Sequence, residues 1–263
     1  MDALFSWLSN AGVALTSQSL FKMASRSNNT IDQVITNVGS CLGYEQVKEE
    51  QRQGVKAIID GRDVFVAQPT GYGKSAIYQM APFVKSTMDL LRDSHSDSVS
   101  SLLPEINKTQ NSCFALVICP LISLMRDQMQ KMTEKGIKAL SLSDPDTTSK
   151  VIRDGDYSFL FTSPESILKT YRSEVMMPSF QKRLVCVVID ESHCIVKWYV
   201  CLYGFLDFIH FLLQTRMENF HLAIVFKTKT LLCSFVYLKL RVENLECFCG
   251  ASKWCNLVTL QPG

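Results

Sequence analysis

Apolar runs alternate with segments of helical periodicity between residues 42 and 198. The runs at 113–119 (CFALVIC) and 183–189 (RLVCVVI) are nearly continuous, a pattern typical of strands buried on both faces of a parallel sheet. Further strands are predicted at 63–67, 137–142 and 157–162. Strands that alternate with helices predict an α/β fold with a mostly parallel sheet, right-handed crossovers and helices on both faces.

Helices are predicted before the first of these strands and between the others. One follows the apolar spacing of Val55, Ile58 and Ile59 and ends at Gly61. A second runs to about residue 84, and a third, over 121–132, ends at Gly136. A short helix is expected at about 148–153, and another opens at Ser163, which serves as its N-cap.

Three segments fall outside this alternation. Residues 1–40 carry no motif, and we expect a poorly ordered leader or short helices. Residues 86–112 are rich in Ser, Asp and Asn, which predicts an exposed loop insertion. Residues 199–263 form a Phe-, Leu- and Cys-rich tail of poor periodicity, so we expect it to be irregular.

Composition limits the class of protein. The chain has 263 residues, 47% of them apolar, which is enough for a core and too many for a disordered chain. A net charge of +2 gives no global basic field, so any nucleic-acid site must be local. Ten cysteines without a regular framework indicate a reducing compartment. We predict no signal peptide and no membrane span.

A candidate phosphate-binding loop, QPTGYGKS, occupies residues 68–75. It lies between a predicted strand and a predicted helix, as backbone N–H groups that bind an anion at a helix N-terminus require. Its candidate nucleotide-binding residues are Thr70, Gly71, Tyr72, Gly73, Lys74 and Ser75. Lys74 would reach the β- and γ-phosphates and Ser75 would bind Mg²⁺. The alternative is an ordinary strand-to-helix turn with a solvated lysine.

Two acids follow the strand at 183–189 directly. Asp190 would hold Mg²⁺ opposite Ser75, and Glu191 would orient and deprotonate the attacking water. The alternative is that both acids solvate a loop. His193 either couples the nucleotide site to a nucleic-acid surface or caps a helix.

These motifs together resemble a known family. In order, QPTGYGKSAIYQ, VICPLISLMRDQM, FTSPESI and VVIDESHCIVKW resemble the RecQ-like group of superfamily 2 DNA helicases. The resemblance covers about residues 42–198. It implies the first RecA-like ATP-binding domain of an ATP-dependent helicase with 3′-to-5′ polarity, Mg²⁺ as metal, single-stranded or forked DNA as partner, and a nuclear location.

The resemblance also implies roles for single residues. Tyr44 and Lys48 would sandwich adenine, and Gln51 would hydrogen-bond it. Lys48 stands where the family has Arg, which weakens planar stacking.

In a similar way, the resemblance places nucleic-acid contacts in two segments. Ser123 and Arg126, and then Thr162 and Ser163, fall where the family touches the DNA backbone. For Arg126 the alternative is a solvated helix face.

The sequence departs from the family in three places. Ser192 stands where Ala is usual, the insertion at 86–112 is longer than expected for the group, and the family pattern is lost after Trp198. No aromatic-rich coupling loop follows Trp198. Cys247, Cys249 and Cys255 have spacing that favours scattered thiols over zinc. The tail could complete the sheet or come from a truncated or misread gene, and the abrupt loss of pattern favours the latter.

Three functions therefore compete. The chain could be the ATP-binding half of a helicase, a nucleotide-gated nucleic-acid or partner-binding module, or a non-functional fragment. Helicases of this class complete their site with an arginine from a second RecA-like domain, which we expect to be missing. We predict ATP binding, weak or absent hydrolysis, and no processive unwinding by the chain alone.

Overall fold

The computed structural model describes residues 17–68, 71–94, 113–119, 121–163, 166–167, 170–190, 222–226 and 245–249. Its helices are α1 (Ser17–Cys41), α2 (Glu49–Ile59), α3 (Ser75–Ser94), α4 (Ile122–Glu134), α5 (Ser149–Asp154), α6 (Arg172–Val175) and α7 (Pro178–Arg183). Its strands are β1 (Asp63–Ala67), β2 (Phe114–Ile118), β3 (Ala139–Ser141), β4 (Phe159–Thr162), β5 (Leu184–Ile189), β6 (Leu222–Phe226) and β7 (Leu245–Cys249).

These strands form one sheet in the order β3-β4-β2-β5-β6-β1-β7, and every pair is parallel. The predicted parallel α/β architecture is therefore confirmed. Because parallel strands end at the same edge, the segments that follow β1, β2, β4 and β5 meet there. The candidate chemistry of the sequence lies in these segments.

Two strands come from the tail that was predicted to be irregular. β6 lies between β5 and β1, with Val187 opposite Leu222 and Val64 opposite Ala223. β7 pairs with the other side of β1. These ten residues of the tail therefore complete the sheet, which is one of the two possibilities that the sequence left open. The remaining tail residues lie outside the described ranges.

The sheet is covered on both faces. Every residue of β2 and β5 is buried, as their continuous apolar runs predict. On one face, Ala115 and Val117 belong to the main core, which also contains residues of α1 to α4. On the other face, the ring of Phe114 lies 4.8 Å from that of Phe180 in α7 and contacts Tyr157. Helices thus flank both faces.

Two helices are longer than the sequence predicted. Instead of a poorly ordered leader or short helices, residues 17–41 form one helix, and its Ile31, Val34, Ile35 and Val38 are buried at helical spacing.

Helix α3 likewise extends to Ser94, into the predicted loop insertion, because Met88 and Leu91 bury a further apolar turn. The rest of that segment, residues 95–112, lies outside the described ranges. Among the helices that the structure describes, none has the length and apolar character needed to cross a membrane.

Candidate nucleotide and nucleic-acid site

The phosphate loop joins the end of β1 to the start of α3. Gly71 and Gly73 have φ angles of 82° and 86°, in the left-handed region that favours glycine. A Cβ on Gly73 would lie 2.6 Å from Nε2 of Gln51, whereas one on Gly71 would meet nothing within 4 Å. The loop therefore needs glycine at 73 both for its backbone and for the close approach of Gln51. Thr70 lies outside the described residues.

Lys74 folds back across the loop. Its Nζ donates a hydrogen bond to the carbonyl oxygen of Gln68, 2.9 Å away. Gln68, which replaces the first glycine of the common phosphate-loop motif, is 2% exposed. The contact between Lys74 and Gln68 closes the loop on itself and keeps the lysine ammonium beside the N-terminus of α3, where an anion is favoured.

Ser75 and Asp190, the candidate Mg²⁺ residues, both affect the pKa of Tyr78. Ser75 is the first residue of α3, and Asp190 follows β5 and is only 7% exposed. Burial and the Asp190 carboxylate raise the pKa of Tyr78 well above its ordinary value, and the nearby Ser75 side chain acts in the opposite direction. Tyr78 therefore interacts electrostatically with both Ser75 and Asp190.

A magnesium ion suits this pair chemically. A serine hydroxyl and a carboxylate are hard oxygen ligands, and Mg²⁺ in nucleotide sites takes one or two protein oxygens together with phosphate and water. Tyr78 adds a buried hydroxyl that, among the described residues, has no well-formed hydrogen bond. Glu191 and His193 lie outside the described residues, so their predicted roles remain predictions.

Lys48 and Gln51, at the start of α2, both contact the phosphate loop. Gln51 accepts a hydrogen bond from the backbone N–H of Lys48 at 2.9 Å and donates one to the carbonyl oxygen of Gly73, also at 2.9 Å. Nζ of Lys48 donates to the carbonyl oxygen of Tyr72 at 3.1 Å and lies 3.9 Å from the centre of the Tyr72 ring. The residues predicted to recognise adenine are therefore bound to the loop predicted to hold the phosphates.

Tyr44 lies between α3 and α4. Its hydroxyl donates to Oε1 of Gln79 at 2.5 Å, and Nζ of Lys135 lies 4.7 Å from the centre of its ring. Burial raises the pKa of Tyr44 to about 12, so the hydroxyl keeps its proton at neutral pH. Sequence patterns did not predict the contacts of Gln79 and Lys135 with Tyr44, because no motif connects residues so distant along the chain.

The candidate nucleic-acid residues lie after two neighbouring strands. Ser123 and Arg126 are exposed on the first turns of α4, which follows β2. Thr162, at the end of β4, is fully buried, and its hydroxyl donates to the carbonyl oxygen of Ser163 at 3.0 Å.

Ser163 is half-buried, and its Oγ accepts a hydrogen bond from the backbone N–H of Ser166 at 3.3 Å, as an N-cap residue does. Ser123 and Arg126 therefore offer exposed side chains to a ligand, while the side chains of Thr162 and Ser163 bond to the chain itself. Cys247 and Cys249 lie in strand β7, and Cys255 is outside the described residues.

Comparison with known families identifies the family of the chain. A family model for DEAD/DEAH box helicases matches residues 48–233. This match contains the loop, Asp190 and strand β6. It extends past residue 198, where the motif-by-motif resemblance was expected to end.

Individual relatives are helicases. The chain is 30% identical over 175 residues to the ATP-dependent helicase SGS1 of Saccharomyces cerevisiae, which covers 64% of this chain and 11% of that protein. It is 31% identical over 170 residues to the ATP-dependent DNA helicase RecQ of Haemophilus influenzae, covering 60% of this chain and 22% of that enzyme. The chain thus spans less than a quarter of these relatives.

Solved structures share the fold at low identity. The DUF1998 helicase MrfA bound to DNA and AMPPNP matches with a TM-score of 0.55 and 16% identity, over 81% of this chain and 28% of that one. Yeast Dbp5, in a complex with Nup159, Gle1, IP6 and ADP, matches with a TM-score of 0.54 and 14% identity, over 81% of this chain and 51% of that one.

Proposed function

Because the chain belongs to the DEAD/DEAH box helicase family, we propose that its α/β domain is the ATP-binding, RecA-like domain of a RecQ-like 3′-to-5′ DNA helicase. The observation that carries the proposal is the junction of two predicted half-sites. Gln51, from the segment predicted to read the base, donates a hydrogen bond to Gly73 in the phosphate loop. One bound ATP would span both segments.

In this proposal the loop and the start of α3 bind the phosphates. Lys74 exchanges its bond with the Gln68 carbonyl for the β- and γ-phosphates, and the loop backbone supplies further N–H donors. Gln51 hydrogen-bonds the adenine, while Tyr44 and Lys48 flank it. Lys48 already lies against the Tyr72 ring, so this ring supplies part of the planar surface that an arginine at position 48 would provide.

Ser75 and Asp190 are the residues that would hold Mg²⁺ when ATP is bound. When bound, Mg²⁺ neutralises charge that develops on the transferred phosphoryl group. The low exposure of Asp190 strengthens its electrostatic interactions with a cation. Glu191 orients and deprotonates the attacking water, and His193 couples this site to the nucleic acid.

DNA is proposed to cross the edge of the sheet near the start of α4. Arg126 supplies a charged contact to a phosphate and Ser123 a polar one, and Thr162 and Ser163 shape the neighbouring strand end. Because these contacts go to the backbone, the proposed binding is independent of sequence and weakens as salt rises.

Complete motor activity is proposed to need a second RecA-like domain. In phosphoryl transfer, an arginine that reaches the transition state from outside can raise the rate about 10³-fold or more. We therefore expect this chain alone to bind Mg·ATP and DNA while turning ATP over slowly.

The deciding experiment measures Mg·ATP binding by the purified chain, together with ATP turnover with and without single-stranded DNA. Lys74→Ala is the test variant. Lys85→Ala is the matched control, since Lys85 lies on α3, the helix that begins directly after Lys74, and pairs with Asp89 at 2.6 Å. Binding that Lys74→Ala abolishes and Lys85→Ala retains supports the proposed site.

The other outcomes separate the alternatives. Binding of ATP and DNA with no turnover, even after a second RecA-like domain is supplied, favours a nucleotide-gated binding module. Rapid DNA-stimulated turnover by the chain alone contradicts the need for a second domain. A folded chain that does not bind ATP overturns the site assignment.

A further inference from the structure

A short chain of contacts joins Tyr44 to helix α4. The Tyr44 hydroxyl donates to Oε1 of Gln79, and Nε2 of Gln79 donates to Oε1 of Gln128 at 3.4 Å. Lys135, the C-cap residue of α4, places its Nζ over the Tyr44 ring. Helix α4 is therefore connected to Tyr44 at two positions about two turns apart: directly through Lys135, and through Gln79 at Gln128.

Gln79 is the central member of this chain. It lies on α3 one turn after Ser75, and only 9% of it is exposed. A buried amide has both a donor and an acceptor to satisfy, and leaving either unpaired costs free energy. Gln79 uses its acceptor toward Tyr44 and its donor toward α4. Its pairing therefore depends on the positions of both neighbours.

Helix α4 presents a different side to solvent. Met125 and Met132 are buried in the core, while Ser123 and Arg126 are exposed. The helix that is proposed to contact DNA is thus the helix that Gln79 ties to Tyr44. A packed helix moves as a unit, so a shift at one of its sides is felt at the other.

We propose that Gln79 is a positioning residue that couples nucleotide binding at Tyr44 to nucleic-acid binding on α4, through its paired hydrogen bonds to Tyr44 and Gln128. This inference rests on the proposed function, since it requires ATP and DNA as the two ligands. Coupling is reciprocal: DNA on α4 changes the affinity for nucleotide by the same factor as nucleotide changes the affinity for DNA.

The test measures the Kd of a non-hydrolysable ATP analogue with and without saturating single-stranded DNA, using the full chain. In the wild type the two Kd values are expected to differ about fivefold or more. In Gln79→Leu and Gln128→Leu, the ratio of the Kd without DNA to the Kd with DNA is expected to lie within about twofold of one.

The matched control is Gln130→Leu, which removes an exposed glutamine of α4 that bonds Glu134 in the same helix. It should keep the wild-type ratio. If Gln79→Leu does not fold, Gln79→Glu replaces it, since a carboxylate still accepts from Tyr44 but has no N–H for Gln128. Thermal unfolding of each variant is recorded alongside, because a merely structural residue would lower the midpoint and leave the ratio intact.

Two outcomes overturn the inference while the proposed function stands. One is a wild-type chain that binds both ligands with a ratio of one. The other is a coupled wild type whose ratio persists in both Gln79→Leu and Gln128→Leu. A folded wild type that binds no ATP analogue overturns the proposed function itself, and the inference with it.

Discussion

The side-chain amide of Gln51 donates a hydrogen bond to the carbonyl oxygen of Gly73, 2.9 Å away, and so ties the start of α2 to the phosphate loop. Gln51 is 6% exposed, and its Oε1 is occupied by the backbone N–H of Lys48. Both ends of the amide are therefore used before any ligand arrives. In the proposed site, the side chain that would bind the base also holds the phosphate loop, which would connect base and phosphate recognition at this residue.

Gln51→Ala should lower the free energy of unfolding by about 1–2 kcal/mol, because it removes the three hydrogen bonds that the Gln51 side chain makes with the backbone of Lys48, Tyr72 and Gly73. It should also reduce the preference for ATP over other nucleoside triphosphates. Urea unfolding and competition binding measure the two effects. Gln53→Ala is the control, since Gln53 is exposed on the same helix and bonds only across one turn to Glu49 among the hydrogen bonds described. Equal effects of both substitutions would contradict the anchoring role.

Gly73→Ala and Gly71→Ala should lower the free energy of unfolding by different amounts. Both positions are left-handed, which costs an alanine about 1–2 kcal/mol. At Gly73 the new Cβ would also lie only 2.6 Å from Nε2 of Gln51. The Gln51 side chain must therefore move away, which breaks its hydrogen bond to the carbonyl oxygen of residue 73. We expect Gly73→Ala to reduce the unfolding free energy and the ATP affinity more than Gly71→Ala does.

A second background tests the cause. In a chain that already carries Gln51→Ala, the displaced side chain is gone, so Gly73→Ala should cost no more than Gly71→Ala. Urea unfolding of the single and double variants gives the comparison. If the excess cost at Gly73 persists without the Gln51 side chain, the close approach is not its origin.

Glu174 should make stability depend on pH. The Ser149 hydroxyl donates to its Oε1 at 2.6 Å and the Ser173 hydroxyl to its Oε2 at 2.7 Å. The Ser149 bond most of all lowers the pKa of Glu174 from 4.5, although burial opposes the shift. A lowered folded-state pKa means that the carboxylate stabilises the fold above pH 4.5 and that this contribution is lost as pH falls through the folded-state pKa.

Glu174→Gln should therefore cost about 1.5–3 kcal/mol at neutral pH, the range for hydrogen bonds to a charged group, and less in acid. Urea unfolding of both chains across the acid range measures the difference. Glu134→Gln, at an exposed glutamate of α4, is the matched control and should show little change at either pH. A cost for Glu174→Gln that does not diminish in acid would contradict this prediction.

The parts of the fold that the sequence predicted correctly depend on local chemistry. The continuous apolar runs became the buried strands β2 and β5, and the glycines of the loop have the backbone angles that the turn requires. The order of strand, loop and helix placed Lys74 and Ser75 at a helix N-terminus. The resemblance to RecQ-like helicases is confirmed by the family match and the named relatives.

What the sequence did not predict depends on distant partners. Strands β6 and β7 come from a segment of poor periodicity, and only their pairing with β1 and β5 defines them. Helix α3 continues into a Ser- and Asp-rich segment because the side chains of Met88 and Leu91 are buried in the core. The link from Tyr44 through Gln79 to Gln128 joins residues 35 and 49 positions apart, which no local pattern encodes.

Tyr78→Phe is expected to stabilise the nucleotide-free chain. The Tyr78 hydroxyl is buried, and its interaction with the Ser75 side chain falls short of a well-formed hydrogen bond; an unpaired buried hydroxyl costs about 1–3 kcal/mol of desolvation. Removing it should raise the unfolding free energy by about 1 kcal/mol, measured in urea.

Tyr157→Phe is the matched control. The Tyr157 hydroxyl is also buried but donates to the carbonyl oxygen of Ile152 at 3.1 Å, so its loss should lower the unfolding free energy by a similar amount. Destabilisation by both substitutions would mean that Tyr78 has a hydrogen-bond partner in the folded chain. Opposite signs would establish that Tyr78 carries an unpaired hydroxyl close to Ser75 and Asp190.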